Sequence, residues 1–139
     1  MTRTLDLRLG DLTAAAELLE DAAPLTSRKL WDALPIDGTM HNLRYGGNAA
    51  FVVDERLADR ALPIENRVTW HVKGTLAFYP EWGELVLPYG PAQVRSPRSV
   101  AEWGTVFARL TTNADALLAA AERIAHTGAL RFVVTRRGG

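Results

Sequence analysis

Four polar side chains of complementary chemistry lie at the ends of apolar segments or in the loops between them: Arg44, Glu65, Asn66 and Tyr79. An arginine provides a fixed cation that can clamp an anion or a carbonyl group. A glutamate at a pocket mouth can act as a general base, and a neighbouring asparagine can bind an oxyanion or an amide. We therefore predict that the four surround one solvent-accessible concavity. Glu65 and Arg44 would be the catalytic residues, acting on a small anionic or amide-bearing compound.

Tyr89 and His41 are further candidates for contacting that ligand, and all of these residues also have simpler explanations. Tyrosines at strand ends often serve packing, and Arg44 with Glu65 could form an ordinary surface ion pair. His41 and His71 fall outside the spacings of histidine metal motifs. A metal site built from these two and Glu65 would depend entirely on the fold, so we predict neither a metal nor a cofactor.

Short β-strands are the elements that must position these residues. Residues 4–9 alternate between Leu and polar side chains, which is typical of a half-buried strand. Residues 13–23 have the composition of a helix, whereas the Gly10-Asp11 turn before them favours a returning strand. Further strands are predicted at 39–45, 49–53, 67–72, 75–90 (a hairpin turning at Gly83), 92–96, 104–110 and 129–135, with helices at 24–34 and, capped by Asn113, at 113–126. About eight strands and two helices predict a mainly β sandwich or barrel.

One of these strands has a clear apolar side. In residues 67–72, Val68, Trp70 and Val72 alternate with Thr69 and His71. A period of two puts the first three on one face and the other two on the opposite face. The alternation predicts a strand over 67–72.

Composition limits the kind of protein this can be. A chain of 139 residues without a repeat or linker is expected to form one domain, 1–139. Its 16 basic and 16 acidic residues cancel, so we expect no nucleic-acid partner. There is no cysteine, no signal-like N-terminus and no apolar run of about 18 residues, so we expect a soluble cytoplasmic protein without a membrane partner. The glycine loops that bind nucleotides and the Gly-x-Ser-x-Gly motif of serine hydrolases do not occur.

Much of the chain resembles the cyclophilin family. The segment ELLEDAAPLTSRKLWDAL (17–34) is similar to the family's opening, where a strand ends in Glu-Leu, an Asp follows, and Pro and Thr begin the first helix. The segment TVFARLTTNADALLAAAERI (105–124) resembles the late strand and second helix. The middle is closer to an uncharacterised bacterial group of cyclophilin-like domains through Arg44-Tyr45-Gly46, Glu65-Asn66, Tyr79-Pro80 and Tyr89-Gly90-Pro91. The resemblance implies a closed cyclophilin-like β-barrel in which 13–20 is a strand antiparallel to 4–9.

The chain departs from the cyclophilins that isomerise prolyl bonds. Those proteins share a Phe-His-Arg strand, a Gln-rich glycine loop and an apolar pocket for the proline ring. Here His41 and Arg44 are spaced too widely, no Phe precedes the histidine, and the Gln loop has no equivalent. The resemblance therefore implies the barrel without a working prolyl isomerase.

Three functions remain open at this point. The leading one is a small-molecule-binding barrel that is an enzyme of the isomerase, lyase or hydrolase type. The second is a residual prolyl isomerase or peptide binder. The third is a non-catalytic interaction domain in which exposed aromatic residues such as Trp82 and Trp103 form a homo-oligomer interface. The sequence does not identify the ligand or the reaction.

Overall fold

The N-terminal hairpin is formed by strands β1 (Thr4–Leu9) and β2 (Leu12–Leu18), which pair antiparallel with Thr4 opposite Glu17. The computed structural model describes residues 2–44, 46–96 and 100–138. The predicted strand over 13–20 is confirmed, although its Ala, Leu and Glu favour a helix. Tertiary context decides the matter, because the inward side chains of this segment enter the core and its backbone pairs on both sides: Ala14, Ala16 and Leu18.

Eight strands close into an antiparallel barrel, as predicted. Beyond the hairpin, the strands in the described residues are β3 (Ile36–Asn42), β4 (Gly47–Val53), β5 (Arg67–Val68), β6 (Thr75–Tyr79), β7 (Glu84–Ala92), β8 (Gly104–Thr112) and β9 (Leu130–Arg136). Their order is β2-β1-β9-β3-β4-β7-β6-β8, and the ring closes through pairing of β2 with β8. The two-residue β5 adds to the side of β8.

Two helices accompany the barrel. Helix α1 (Pro24–Ala33) has proline in its first turn, where the missing N–H costs nothing, and it buries Leu30 in the core. Helix α2 (Ala114–Thr127) packs against β2, β3, β4 and β7 through one buried face: Leu117, Leu118, Ala120, Ala121 and Ile124. The predicted side-chain cap is wrong, since Asn113 adopts a φ of 59° and donates from Nδ2 to the carbonyl of Thr13 instead. Neither helix in the described ranges is long and apolar enough to cross a membrane.

Apolar side chains form two separate clusters, one inside the barrel and one on its outer wall. Alternation along β6 shows the division: Leu76 and Phe78 enter the inner core, whereas Ala77 and Tyr79 join the outer cluster. The outer cluster comprises Ala49, Ala77, Tyr79, Val86, Ala92 and Val94. Because these residues are buried, the outer wall of β4, β6 and β7 must be covered by loops.

The segment 67–72 provides part of this cover, and the strand predicted over its whole length is shorter than expected. Only Arg67 and Val68 form a strand, and the apolar face is turned outward: Trp70 is 61% and Val72 is 62% exposed, whereas His71 is 1% exposed. The backbone of His71 pairs with Ala92 at the end of β7, which carries the imidazole inward onto the outer cluster. Residues 92–96 do not form the separate strand predicted there, since β7 continues to Ala92 and only an isolated bridge follows.

Candidate functional site

A cleft of about 360 Å³ opens over the outer wall of the barrel, and Tyr79 lies at its base. We call it the Tyr79 cleft. It lies between the loop that follows the short 3-10 helix Glu55–Leu57, the turn after β6 and the segment before β8. Its lining is formed by Arg60, Leu62, Ile64, Tyr79, Pro80, Glu81, Trp82, Glu102 and Trp103. The combination of aromatic walls and a few convergent polar groups is typical of a small-molecule site.

The base of the cleft is a buried hydrogen-bonded pair. The hydroxyl of Tyr79 lies 2.6 Å from Nε2 of His71, and each residue is 1% exposed. Gly104 makes room for the phenol, because a Cβ at that position would lie 2.6 Å from Cζ and 2.8 Å from the hydroxyl oxygen of Tyr79. The tyrosine is therefore fixed by packing from one side and by the imidazole from another.

The protonation of this pair follows from its burial. Burial lowers the pKa of His71 to about 4, so the imidazole is neutral at neutral pH. Burial, together with the charges of Glu84 and Glu102, raises the pKa of Tyr79, so the phenol keeps its proton. The hydroxyl is 2.6 Å from His71 Nε2 and 3.5 Å from the Glu102 carbonyl oxygen, and the shorter contact is of the length expected for an O–H donor. The direction of the hydrogen bond between Tyr79 and His71 is set by the tautomer of the neutral imidazole.

Glu84 lies beside Tyr79 as its cross-strand partner in the β6–β7 pair. It is 8% exposed, and within the described chain its carboxyl forms no hydrogen bond or ion pair. Burial raises its pKa to about 7. Glu84 is therefore poised to change charge near neutral pH next to the Tyr79–His71 pair.

Aromatic rings form the walls of the cleft. Trp82 lies with its ring centroid 6.2 Å from that of Tyr79, and the φ of +68° at Gly83 allows the tight turn that holds it there. Trp103 lines the cleft from the other side, and the guanidinium of Arg67 lies 5.0 Å from its ring centroid.

The residues predicted from the sequence lie in different places. Tyr79 is in the cleft, whereas His41 and Arg44 line a second groove of about 460 Å³ with Phe51 and Arg95. Tyr89 reaches that groove only indirectly, because its hydroxyl donates to Oδ1 of Asn42 at 2.9 Å and Asn42 is among the lining residues. The catalytic role of Arg44 and the ligand-binding roles of His41 and Tyr89 remain predictions.

Glu65 and Asn66 are committed to the scaffold. The Glu65 carboxylate accepts the backbone N–H groups of Leu25 at 3.2 Å and Thr26 at 2.8 Å, at the positive N-terminal end of α1. Asn66 has a φ of 41° and donates from Nδ2 to the carbonyl of Val106 at 3.0 Å. The predicted convergence of Arg44, Glu65, Asn66 and Tyr79 on one concavity is therefore wrong, because helix capping and loop anchoring engage two of them elsewhere.

His71 and Glu84 are the polar residues of the site that the sequence prediction missed. The alternation over 67–72 separates His71 from Trp70 and Val72 but does not reveal which side is covered. Glu84 and Val86 are two residues apart on β7, so their side chains lie on the same face of the strand. This spacing could have predicted that Glu84 lies on the outer wall. Among residues 2–44, 46–96 and 100–138, no three His, Asp or Glu side chains are grouped so as to hold a metal ion.

The fold and site define a closed antiparallel barrel with an aromatic cleft on its outer wall. Residues 5–135 match the family described as "Protein of unknown function (DUF3830)". The chain belongs to this family, since the match covers nearly all of it. None of the curated proteins is detectably similar to it in sequence.

Two solved structures have a similar fold. McbB, determined in complex with tryptophan, gives a TM-score of 0.73 at 21% identity over 97% of this chain and 45% of McbB. The hypothetical protein AF2241 from Archaeoglobus fulgidus, solved in solution, gives 0.65 at 21% identity over 97% of this chain and 95% of AF2241. The chain thus spans less than half the length of McbB, and identities this low support a shared fold alone.

Proposed function

We propose that the protein is a cyclophilin-like barrel that binds a small molecule in the Tyr79 cleft. The observation that carries this proposal is the buried Tyr79–His71 pair at the base of a cleft walled by Trp82 and Trp103. A polar group held at 2.6 Å by a second buried residue is preorganised, which is how binding sites fix the orientation of a ligand. McbB, which shares this fold over 45% of its length, was determined in complex with tryptophan, and this lends support to a small-molecule ligand.

The proposal extends to an enzymatic role for the same cleft. The cleft offers a phenol coupled to a neutral imidazole, with the carboxyl of Glu84 next to the phenol. Groups of this kind move protons, so the reaction classes they suit are isomerisation, elimination and hydrolysis. The small anionic compound predicted from Arg44 would instead need the groove of His41, Arg44 and Arg95, where the arginines lie.

The first test is removal of the cleft's own groups. Tyr79→Phe and Trp82→Leu are each expected to reduce the affinity for a small-molecule ligand about tenfold. This is the effect expected from the loss of one hydrogen bond or one aromatic contact. The measurement is ligand-induced thermal stabilisation with a panel of aromatic and charged metabolite-like compounds, followed by calorimetric titration of any compound that stabilises the protein.

Trp70→Leu is the matched control, because Trp70 is 61% exposed and does not line the cleft. It should leave the stabilisation by ligand unchanged. Equal losses in Trp70→Leu and Trp82→Leu would place the ligand outside the cleft and contradict the proposal.

A non-catalytic interaction domain is the alternative, and the exposed apolar residues favour it. Trp70, Val72, Val100 and Trp103 are each at least half exposed, which is unusual for large apolar side chains. If this surface is a homo-oligomer interface, Trp70→Ser should convert a sedimenting dimer into a monomer. A wild-type protein that sediments as a monomer at all accessible concentrations would remove this alternative.

A further inference from the structure

The groove of about 460 Å³ that contains Arg44 and Arg95 is separate from the Tyr79 cleft. We call it the Arg44 groove. The other described residues of its lining are His41, Asn42, Leu43, Phe51, Ile124, Gly128 and Ala129. None of these residues lines the Tyr79 cleft, and no acid is among the described residues that line the groove. The charged side chains of this lining are therefore both cations.

The backbone brings the two arginines into the same groove. The N–H of Gln93 donates to the carbonyl of Gly46 at 2.6 Å, which joins the chain just after Arg44 to the chain just before Arg95. Gly46 has a φ of +122°, and a Cβ at this position would clash with the carbonyl oxygen of Gln93. Glycine permits this conformation and this close approach. The juxtaposition of the two arginines is therefore built into the fold.

Both guanidiniums can donate to a ligand. Arg44 is exposed, and within the described part of the chain it makes no hydrogen bond or ion pair. Arg95 is oriented by Gln93, whose buried side-chain oxygen accepts from Nη2 at 3.1 Å. A guanidinium has five N–H donors in a planar fork, so Arg95 can keep its neighbours and still bind an anion. One arginine is thus free to adapt to a ligand, and the other is oriented in advance.

The remaining walls suit the body of a ligand. The rings of His41 and Phe51 lie 6.0 Å apart at an interplanar angle of 38°, and Leu43 extends this surface. Such rings favour contact with a flat apolar group. Asn42 adds a donor, because its Oδ1 accepts from Tyr89 at 2.9 Å and only one of its amide N–H groups is used, by the Leu43 carbonyl at 3.3 Å. The polar chemistry of the groove is that of donors.

Helix α2 opposes this preference only weakly. Its C-terminal end borders the groove at Ile124 and Gly128, and a helix end carries about half a negative charge. Burial and, to a smaller extent, the charge of Glu122 raise the pKa of Tyr89, but Glu122 does not line the groove. The full charge of Arg44 lies in the lining itself and exceeds that of the helix end. The groove therefore favours an anion.

We propose that the Arg44 groove is a second ligand site, which binds a small organic anion with a flat apolar body. The anionic group lies between Arg44 and Arg95, and the body lies against Phe51 and Leu43. Carboxylates and phosphate esters share this chemistry, because both accept the paired N–H groups of a guanidinium. The inference goes beyond the proposed function, since it concerns a different concavity and does not depend on binding in the Tyr79 cleft.

Four probes of similar size and different charge test the inference. Benzoate and phenyl phosphate are anions at pH 7, benzamide is neutral and benzylamine is a cation. In titrations followed by two-dimensional NMR, the anions should shift the amide signals of Phe51 and Gly128. The tighter anion should bind about fivefold more strongly than benzamide, and benzylamine should bind least. Which anion binds more tightly distinguishes a carboxylate from a phosphate ester, and added salt should weaken the anions alone.

Arg44→Gln supplies the second measurement, because Arg44 is exposed and the change should not disturb folding. It should reduce the affinity for the tighter anion about fivefold and leave that for benzamide unchanged. Arg44→Lys keeps the charge without the planar fork, so its affinity should lie between those of the wild type and Arg44→Gln. Arg28→Gln is the matched control, since Arg28 is exposed on α1 and lines neither concavity. It should alter neither affinity.

Trp82→Leu distinguishes this inference from the proposed function, because Trp82 lines the Tyr79 cleft and not the Arg44 groove. It should leave the binding of the anions unchanged. Anion binding that Arg44→Gln does not weaken overturns the inference, and if Trp82→Leu weakens it instead, the Tyr79 cleft is the site. Binding of benzamide or benzylamine as tight as that of the anions also overturns the inference. So does a failure of both anions to bind at millimolar concentration, and neither result bears on the Tyr79 cleft.

Discussion

Gly104→Ala is expected to abolish ligand binding in the Tyr79 cleft and to destabilise the protein by about 3 kcal/mol, the upper range for overpacking a buried site. The added Cβ would lie 2.6 Å from Cζ and 2.8 Å from the hydroxyl oxygen of Tyr79. Tyr79 is 1% exposed and its hydroxyl is bonded to His71, so the ring cannot shift without disturbing that contact. Relief of the clash must displace the phenol and break its hydrogen bond to His71. Urea denaturation and ligand-induced thermal stabilisation measure the two effects.

Gly90→Ala is the matched control, because it adds the same methyl group to β7 at a place where it does not meet Tyr79. Its Cβ would lie 2.9 Å from Cβ of Asn48 on the neighbouring strand β4, so this variant must also shift a neighbour. We expect a destabilisation of about 1–3 kcal/mol with unchanged binding, which separates loss of stability from loss of the site. The double variant Gly104→Ala/Tyr79→Leu should recover stability without recovering binding, since the smaller side chain removes the clash and the hydroxyl together. Normal ligand binding by Gly104→Ala would mean that the position of Tyr79 does not matter to the site.

The barrel was predictable because its signals are local or repeat along the chain. The alternating leucines of β1 determine which face is buried, and the turn at Gly10 returns the chain as β2 whatever its helix propensity. The proline in the first turn of α1 and the glycine after α2 likewise mark helix ends that the structure has. Amino-acid composition favoured the wrong element only in β2, where pairing with β1 and β8 overrides the helix propensity of the segment.

The candidate site was much less predictable because it is assembled from contacts between distant segments. Tyr79 was identified, but its partner His71 is buried only because the segment after β5 pairs with Ala92. Glu65 was assigned to chemistry, yet α1, some 39 residues earlier in the chain, uses its carboxylate as an N-terminal cap. Trp103 reaches the cleft from the loop before β8. Periodicity identifies faces, but it does not show which faces a remote loop will cover.

Glu84→Gln is expected to stabilise the protein at pH 8 by about 3 kcal/mol, which is 2.5 pKa units at 1.36 kcal/mol each. Burial raises the pKa of Glu84 from its ordinary value of 4.5 to about 7. The folded protein therefore holds this proton across a window where the unfolded chain has lost it. Stability falls as pH rises from 4.5 to 7, and the loss is complete above 7. Glutamine keeps a similar shape and does not ionise, so it avoids the cost at high pH and should have little effect at pH 4.

The contribution of His71 to stability has the opposite pH dependence. The free energy of unfolding of the wild type should therefore stay constant over a pH interval in which that of Glu84→Gln changes. Burial lowers the pKa of His71 from 6.5 to about 4, so the unfolded chain binds more protons in this window and stability rises with pH from 4 to 6.5. Between 4.5 and 6.5 the contributions of the two residues cancel in the wild type. Glu84→Gln removes one of them, so its free energy of unfolding should rise over that interval relative to the wild type. Urea denaturation at pH 4.5, 5.5, 6.5 and 8 measures the difference, with the exposed Glu55→Gln as control. A difference that stays constant with pH would show that Glu84 ionises in the folded protein as it does in the unfolded chain.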